Sequence, residues 1–102
     1  MRSTVIDGVA IRWLIGRDMD EVLGIDMVSH EQWYRWNRAE WAQILKERDT
    51  VGRVIVDEET SRVYGFVVYR LRQPSIDILK LAVHPLFRRR GMAASMLREI
   101  ES

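Results

Sequence analysis

Apolar residues occupy every second position near the start of the chain, which is the pattern of a strand that lies half-buried on a sheet. These positions are Val9, Ile11, Trp13 and Ile15. Gly16 follows directly and predicts the end of the strand. A first strand is therefore expected before Gly16.

The apolar spacing then changes to that of helices. A first helix is predicted from Asp18 to about Val28, because Asp18 with Glu21 three residues later resembles an acidic capping arrangement. Ser29 is the expected N-cap of a second helix, which the charged range 46–48 closes. The side chains expected on one face of this second helix are Trp33, Tyr34, Asn37, Trp41, Ile44 and Leu45.

Three strands are predicted in the following part of the chain. The ranges 51–56 and 63–71 are rich in β-branched and aromatic residues, and the polar range 57–62 between them predicts a hairpin turn. Pro74 marks the next turn, because proline fixes φ and donates no backbone hydrogen bond. A further strand over 76–83 is expected after it.

Pro85 ends that strand, and an apolar stripe at helical spacing continues to the chain end. The stripe consists of Met92, Met96, Leu97 and Ile100. The predicted order is strand, helix, helix, strand, strand, strand, helix. It indicates a single α/β domain over residues 1–102, with a mostly antiparallel twisted sheet flanked by helices.

Composition narrows the classes of function. The 102 residues are 47% hydrophobic and 30% charged, with a net charge of +1, which is typical of a soluble globular domain. The absence of cysteine excludes disulfides, thiol nucleophiles and thiolate metal sites. Charges interrupt the apolar residues of the first thirty positions, so no signal peptide is predicted, and no apolar run reaches membrane-spanning length. A cytoplasmic location is expected.

The most informative segment is a run of three arginines at the expected start of the last helix. Arg88, Arg89 and Arg90 lie directly before Gly91. Positive charge is unfavourable at a helix N-terminus unless an anion binds there, because unpaired N–H groups and the helix dipole are already positive. Gly91 allows a ligand close to the backbone, Ala93 keeps the same face open, and arginine binds phosphate oxygens in pairs. The segment predicts a pyrophosphate-binding site.

The motif Arg88-x-x-Gly91-x-Ala93, after the strand 79–83, resembles the acetyl-CoA signature of the GNAT superfamily of N-acetyltransferases. The preceding order of elements resembles the N-terminal half of that family. Within it, the range 77–85 is most similar to the branch that acetylates the N-terminal alanine of a ribosomal protein. The resemblance implies acetyl-CoA-dependent transfer of an acetyl group to a primary amine, either a protein N-terminus or a small amine.

The resemblance also implies roles for individual residues. The backbone groups expected to pair with the pantetheine arm are those of Leu81, Ala82 and Val83, and the N–H of Val83 would meet the oxyanion. The residues expected to bind the pyrophosphate are Arg88, Arg89, Arg90, Gly91, Met92, Ala93 and Ala94. No metal is expected.

Full-length members of the family continue past this helix with a fifth strand, a helix and two closing strands. The resemblance therefore implies a C-terminally truncated GNAT-like domain. The tyrosine that acts as general acid in related enzymes belongs to the missing half, and neither Tyr64 nor Tyr69 replaces it. The exposed edge of the fourth strand is expected to pair with a second copy or a partner chain.

Other candidate residues leave alternatives open. Asp77 is either the general base for the amine or an ordinary surface carboxylate. The aromatic residues of the second helix either line an acceptor cleft or pack in the core, with Trp36 expected to be the most exposed. His30 and His84 have no partners at metal-binding spacing and are expected to be structural or surface residues.

Two rival functions follow from the same sequence. A non-catalytic acyl-CoA-binding or assembly module of GNAT ancestry would bind the cofactor without turnover. A nucleic-acid-binding domain is disfavoured, because the charge is near neutral and no second basic stripe accompanies the arginine run.

Overall fold

A computed structural model describes residues 7–101, so the first six residues and Ser102, which the predicted domain includes, lie outside the described range. The strands are β1 (Val9–Trp13), β2 (Thr50–Asp57), β3 (Val63–Arg72) and β4 (Ser75–Val83). The helices are α1 (Met19–Ser29), α2 (Arg38–Lys46) and α3 (Met92–Glu101). Short 3₁₀ turns cover Gly16–Asp18, Gln32–Tyr34 and Pro85–Phe87. The predicted order of elements is confirmed.

The strands form one antiparallel sheet in the order β1-β2-β3-β4. Short hairpins join β2 to β3 and β3 to β4, whereas α1 and α2 lie in the connection from β1 to β2. This arrangement confirms the predicted α/β class with an antiparallel sheet and flanking helices. No helix within residues 7–101 is long and apolar enough to cross a membrane.

Alternate side chains of the central strands enter two separate hydrophobic clusters. Phe66 and Val68 pack with Trp41 of α2 in the first cluster. Val67 packs with Met96 of α3 in the second. Because successive side chains of a strand point to opposite faces, the two clusters lie on opposite faces of the sheet. The helices of the first half thus cover one face, and α3 covers the other.

The predicted start of the second helix at Ser29 is wrong. Ser29 is the last residue of α1, and α2 begins only after Asn37. The Asn37 side chain accepts a hydrogen bond from the Glu40 N–H, while the Glu40 side chain accepts one from the Asn37 N–H, both at 2.8 Å. This reciprocal capping box satisfies two backbone donors at once, which the Ser29 position does not.

The expected exposure of the aromatic residues is also corrected. Trp33 lies in a 3₁₀ turn and is 83% exposed, whereas Trp36 is half-buried. Trp41 is fully buried and packs edge-on against Phe66, so its core assignment is confirmed. The capping arrangement expected at the start of α1 is absent as well, because the Asp18 carboxylate bonds to Arg12 and to the Ile15 N–H instead.

Candidate functional site

A cavity of about 520 Å³ opens where the C-terminal ends of β4 and α1 meet the N-terminal end of α3. It is lined by Ser29, His30, Leu81, Ala82, Val83, Phe87, Arg88, Arg89, Gly91, Met92, Ala93 and Ala94. The structure therefore brings together all of the predicted cofactor-binding residues except Arg90. Most of them lie together because only residues 84–91 separate β4 from α3.

The loop before α3 has an unusual backbone. Arg89 has a φ of 66° and Gly91 a φ of 83°. The residues on both sides of Arg90 therefore adopt the left-handed backbone conformation. Alternation of right-handed and left-handed residues turns successive N–H groups toward one concavity, as in anion-binding nests. The glycine adopts this conformation without strain, but Arg89 does not. The left-handed conformation of Arg89 is a feature that the sequence did not predict.

The N-terminus of α3 adds further N–H donors to this loop. The Gly91 carbonyl accepts the first helical hydrogen bond from Ser95, at 2.9 Å, so the N–H groups of the first turn have no partner within the helix. No acidic side chain lies in that first turn. The helix end is thus suited to an external anion rather than to a capping carboxylate.

The Arg88 side chain joins three elements that border the cavity. Its Nε donates to the Val83 carbonyl at 2.9 Å, and its terminal nitrogen donates to the Ser29 hydroxyl at 3.1 Å. Two of its five N–H donors are therefore engaged within the protein. Arg90 instead lies over the Phe87 ring, 5.6 Å from the ring centroid, and does not line the cavity.

Backbone groups of β4 face the cavity on the open side of the sheet. The His84 N–H donates to Tyr64 on β3, whereas the Val83 carbonyl accepts from Arg88 on the other side. Because backbone groups alternate in direction along a strand, those of Leu81 and Val83 point away from β3, and those of Ala82 point toward it. Of the three residues predicted to pair with an extended ligand, Leu81 and the N–H of Val83 present free edge positions, whereas the Val83 carbonyl is engaged by Arg88.

A β-bulge in β4 lies just before these residues. Val68 pairs with Lys80 and Tyr69 with Ile78, so Leu79 is the extra residue of the bulge. The Leu79 carbonyl accepts a hydrogen bond of 2.6 Å from the hydroxyl of Tyr34. The segment between α1 and α2 is thereby fixed to β4 beside the cavity.

Beneath the cavity lies an ionic network that sequence reasoning missed. The Lys80 Nζ is 3.0 and 2.9 Å from the two carboxylate oxygens of Asp26 and donates to the Tyr34 carbonyl at 2.5 Å. Burial lowers the pKa of Lys80. Burial opposes ionisation of Asp26, but hydrogen bonds from Lys80, His30 and the Trp36 N–H outweigh it and lower the pKa of Asp26. The sequence signal that could have indicated this network is Lys80, a charged residue between apolar neighbours in a predicted strand.

The two histidines have different surroundings. His30 lines the cavity, and its ring Nδ1 lies 2.7 Å from Oδ1 of Asp26. The His84 ring caps the turn that follows β4, because its Nδ1 accepts from the Leu86 N–H at 3.1 Å. Within residues 7–101, no group of three or more histidine, aspartate or glutamate side chains is arranged to hold a metal ion.

The remaining candidates lie outside the cavity. Asp77 is exposed on β4, and its carboxylate is 2.7 Å from the Nε of Arg72. Its role as general base stays a prediction. The Tyr64 hydroxyl donates to Asp57, and the Tyr69 hydroxyl accepts from Arg53.

Comparison with known proteins gives one family. Residues 10–102 match the family described as "Acetyltransferase (GNAT) family". No curated protein matches the chain in sequence.

Solved structures share the fold at low sequence identity. The ribosomal-protein-S18-alanine N-acetyltransferase from Escherichia coli superimposes with a TM-score of 0.75 at 15% identity, over 90% of this chain and 56% of that one. The aminoglycoside 6'-N-acetyltransferase AAC(6')-Ih from Acinetobacter baumannii superimposes with a TM-score of 0.72 at 16% identity, over 92% of this chain and 69% of that one. Arabidopsis thaliana NAA60 superimposes with a TM-score of 0.69 at 18% identity, over 91% of this chain and 64% of that one. The chain thus spans little more than half the length of the first of these structures.

Proposed function

Because the chain belongs to the GNAT acetyltransferase family, we propose that it is the acetyl-CoA-binding portion of an enzyme that acetylates a primary amine. One observation carries this proposal. A single cavity joins the free edge of β4 at Leu81 and Val83 to the N-terminal end of α3. An extended ligand that ends in phosphates matches both parts of this surface.

The two parts of the cavity would bind different parts of acetyl-CoA. The loop from Arg89 to Gly91 and the first turn of α3 provide converging N–H groups for the pyrophosphate. The outward N–H and C=O groups of Leu81 and the N–H of Val83 would pair with the amides of the pantetheine arm, as an added strand does. The N–H of Val83 is then the proposed donor to the oxyanion.

The proposed reaction is direct transfer. A neutral amine attacks the thioester carbonyl, the C–S bond breaks, and coenzyme A leaves as a thiolate. Such a reaction needs a base for the amine and an acid for the thiolate near neutral pH. Asp77 is one proposed base, and no residue of this chain corresponds to the acid of related enzymes.

The acceptor is proposed to be a protein N-terminus or a small amine. The similar structures include an enzyme named for the alanine of ribosomal protein S18 and one named for aminoglycosides. The range 77–85 resembles the first of these branches, which favours a protein N-terminus. The proposed location is the cytoplasm, as the charge pattern of the first thirty residues predicts.

The proposal is tested by titrating the purified 102-residue chain with acetyl-CoA by calorimetry. Gly91→Asp should weaken binding by on the order of a hundredfold, because a carboxylate would face the pyrophosphate. Gly91→Asn is the matched variant, since it has the same shape, tolerates a positive φ and adds no charge. Gly24→Asp places the same charge on the exposed side of α1, where a Cβ has no neighbour within 4 Å.

The pattern of affinities decides the assignment. Loss in Gly91→Asp, a smaller loss in Gly91→Asn and none in Gly24→Asp would support a pyrophosphate site. If all three variants bound acetyl-CoA as tightly as wild type, the pyrophosphate site would be refuted. Binding without acetyl transfer would favour the alternative function, a non-catalytic acyl-CoA-binding module.

The edge of β4 favours an additional role in assembly. Ile76 and Ile78 are 37% and 43% exposed beside Leu71, which is 41% exposed. An open apolar edge strand is a site for strand pairing with a second copy or a partner chain. Sedimentation of the chain would show a dimer if a second copy pairs here, and a monomer if it does not.

A further inference from the structure

His30 connects the buried ionic network to the cavity. It directly follows α1, and its Nδ1 lies 2.7 Å from Oδ1 of Asp26, one helical turn earlier. His30 also lines the cavity, together with Leu81 and Ala82. A single residue therefore touches both the buried carboxylate and the proposed acetyl-CoA site.

The surroundings of Asp26 determine which nitrogen of the ring carries the proton. The two carboxylate oxygens accept from the Lys80 ammonium, and one of them also accepts from the Trp36 N–H and the Trp41 indole. A carboxylate held by these donors is ionised and acts only as an acceptor. The Nδ1 of His30 must then donate, so in the neutral ring Nε2 carries the free lone pair.

The free nitrogen is accessible. Within residues 7–101, Nε2 of His30 has no hydrogen-bond partner, and no buried side-chain nitrogen or oxygen lacks one. Nε2 is therefore not fully buried, and it belongs to a residue that lines the cavity. The Tyr34 ring meets the His30 ring edge-on at 4.9 Å, and the Arg35 Nε donates to the His30 carbonyl at 2.8 Å. The first contact restrains the ring and the second restrains its backbone.

From this geometry we propose that Nε2 of His30 contacts the acceptor amine and takes its proton, with Asp26 and Lys80 as positioning residues. This inference rests on the proposed function and gives His30, rather than Asp77, the role of the base. As the amine nitrogen bonds to the acetyl carbon and the C–S bond breaks, one proton passes from nitrogen to Nε2. The thiolate takes its own proton from a separate acid or from water. The Asp26 carboxylate stabilises the imidazolium that results, as in other carboxylate–histidine pairs.

Charged residues from several elements lie close to His30. Asp26 lies on α1, Lys80 on β4 and Arg35 after the turn that carries Tyr34. Arg88 approaches from the loop before α3 through its bond to Ser29. Of these groups, the Asp26 carboxylate directly contacts the ring.

The test uses a ligand that binds without turnover, namely coenzyme A joined through an acetyl linker to the nitrogen of alanine amide. His30→Asn is the informative variant, because the asparagine amide can replace Nδ1 as donor to Asp26 but provides nothing at Nε2. His84→Asn is the matched control, since asparagine also caps the turn that His84 caps. Affinities of all three proteins for the conjugate and for coenzyme A alone are measured by calorimetry. The ¹⁵N spectrum of the histidine rings is recorded with each ligand.

The conjugate should bind wild type more tightly than coenzyme A, and His30→Asn should lose about five- to tenfold in conjugate affinity only. The conjugate should also shift the Nε2 signal of His30. Unchanged conjugate affinity in His30→Asn would overturn the role of His30 and leave the proposed function intact. Equal loss for both ligands, with a loss of stability, would show a structural role and also overturn it. If wild type binds neither ligand, the proposed function fails and this inference fails with it.

Discussion

Lys80 of β4 and Asp26 of α1 form an ion pair inside the protein, with Nζ 2.9 Å from Oδ2. Both residues are only 1% exposed, and the ring of Trp36 lies 4.0 Å from the Lys80 ammonium. The pair joins the first helix to the strand whose next residues, from Leu81 onward, border the cavity. It therefore links the stability of the fold to the position of the site.

Replacing one partner of this pair should be costly. Lys80→Met leaves the Asp26 carboxylate buried without its cation, and such changes cost about 3–5 kcal/mol. Urea unfolding would measure the loss in the free energy of unfolding. The double variant Asp26→Leu with Lys80→Met should recover part of it, because an apolar pair replaces two desolvated charges. A single variant as stable as wild type would contradict this account of the network.

A second ion pair should make the fold sensitive to acid. Burial opposes ionisation of Asp18, but hydrogen bonds from Arg12 and the Ile15 N–H outweigh it, so the pKa of Asp18 is lowered. A carboxyl with a lowered folded-state pKa contributes stability above its unfolded pKa of about 3.9, and this contribution is lost as pH falls through the folded pKa.

Asp18→Asn should therefore reduce stability near neutral pH and flatten the loss of stability below about pH 4. The free energy of unfolding of wild type and variant, measured with urea from about pH 2 to about pH 7, would check this, because that range spans the unfolded pKa. Parallel curves for the two proteins would show that Asp18 is not the group responsible. Asp20→Asn is a suitable control, because Asp20 lies exposed nearby and pairs with Arg38 at the surface.

A tight contact between β3 and β4 should make Gly65 sensitive to substitution. A Cβ at Gly65 would lie 2.7 Å from the Ala82 carbonyl oxygen and 3.2 Å from the Val83 Cα. Gly65→Ala should therefore displace β4 at Val83 and weaken both folding, by about 1–3 kcal/mol, and acetyl-CoA binding.

The same substitution in an open position provides the contrast. Gly24→Ala, in the interior of α1 with no neighbour within 4 Å, should raise stability by about 0.5–1 kcal/mol and leave binding unchanged. Thermal unfolding and calorimetry would measure the two effects. If both alanine variants behaved alike, the close approach of the two strands would not matter for the site.

Part of the site could be predicted from the sequence because its determinants are local. The arginine run, Gly91 and the strand before it are consecutive in the chain, so a short pattern was enough to bring them together. The left-handed backbone of Arg89 was not predictable in this way, since arginine does not favour that conformation and the surrounding turn imposes it.

The start of α2 shows where local signals compete. Ser29 and Asn37 are both good N-cap residues, and the spacing of the aromatic side chains was compatible with either. The reciprocal bonds between Asn37 and Glu40 favoured the second position. The segment before it then stays out of the helix and supplies the Tyr34 contact to β4.

The sequence by itself determined the order of the elements, the antiparallel class of the sheet and the arginine–glycine motif before α3, because periodicity and turn residues act over short distances. Only the tertiary structure decided that Lys80 meets Asp26, 54 positions away, and that His30 lies between this pair and the cavity. Those contacts depend on how α1 packs across the sheet. That packing follows from the total apolar surface buried and from the pairing of two buried charges, neither of which any short stretch of sequence contains.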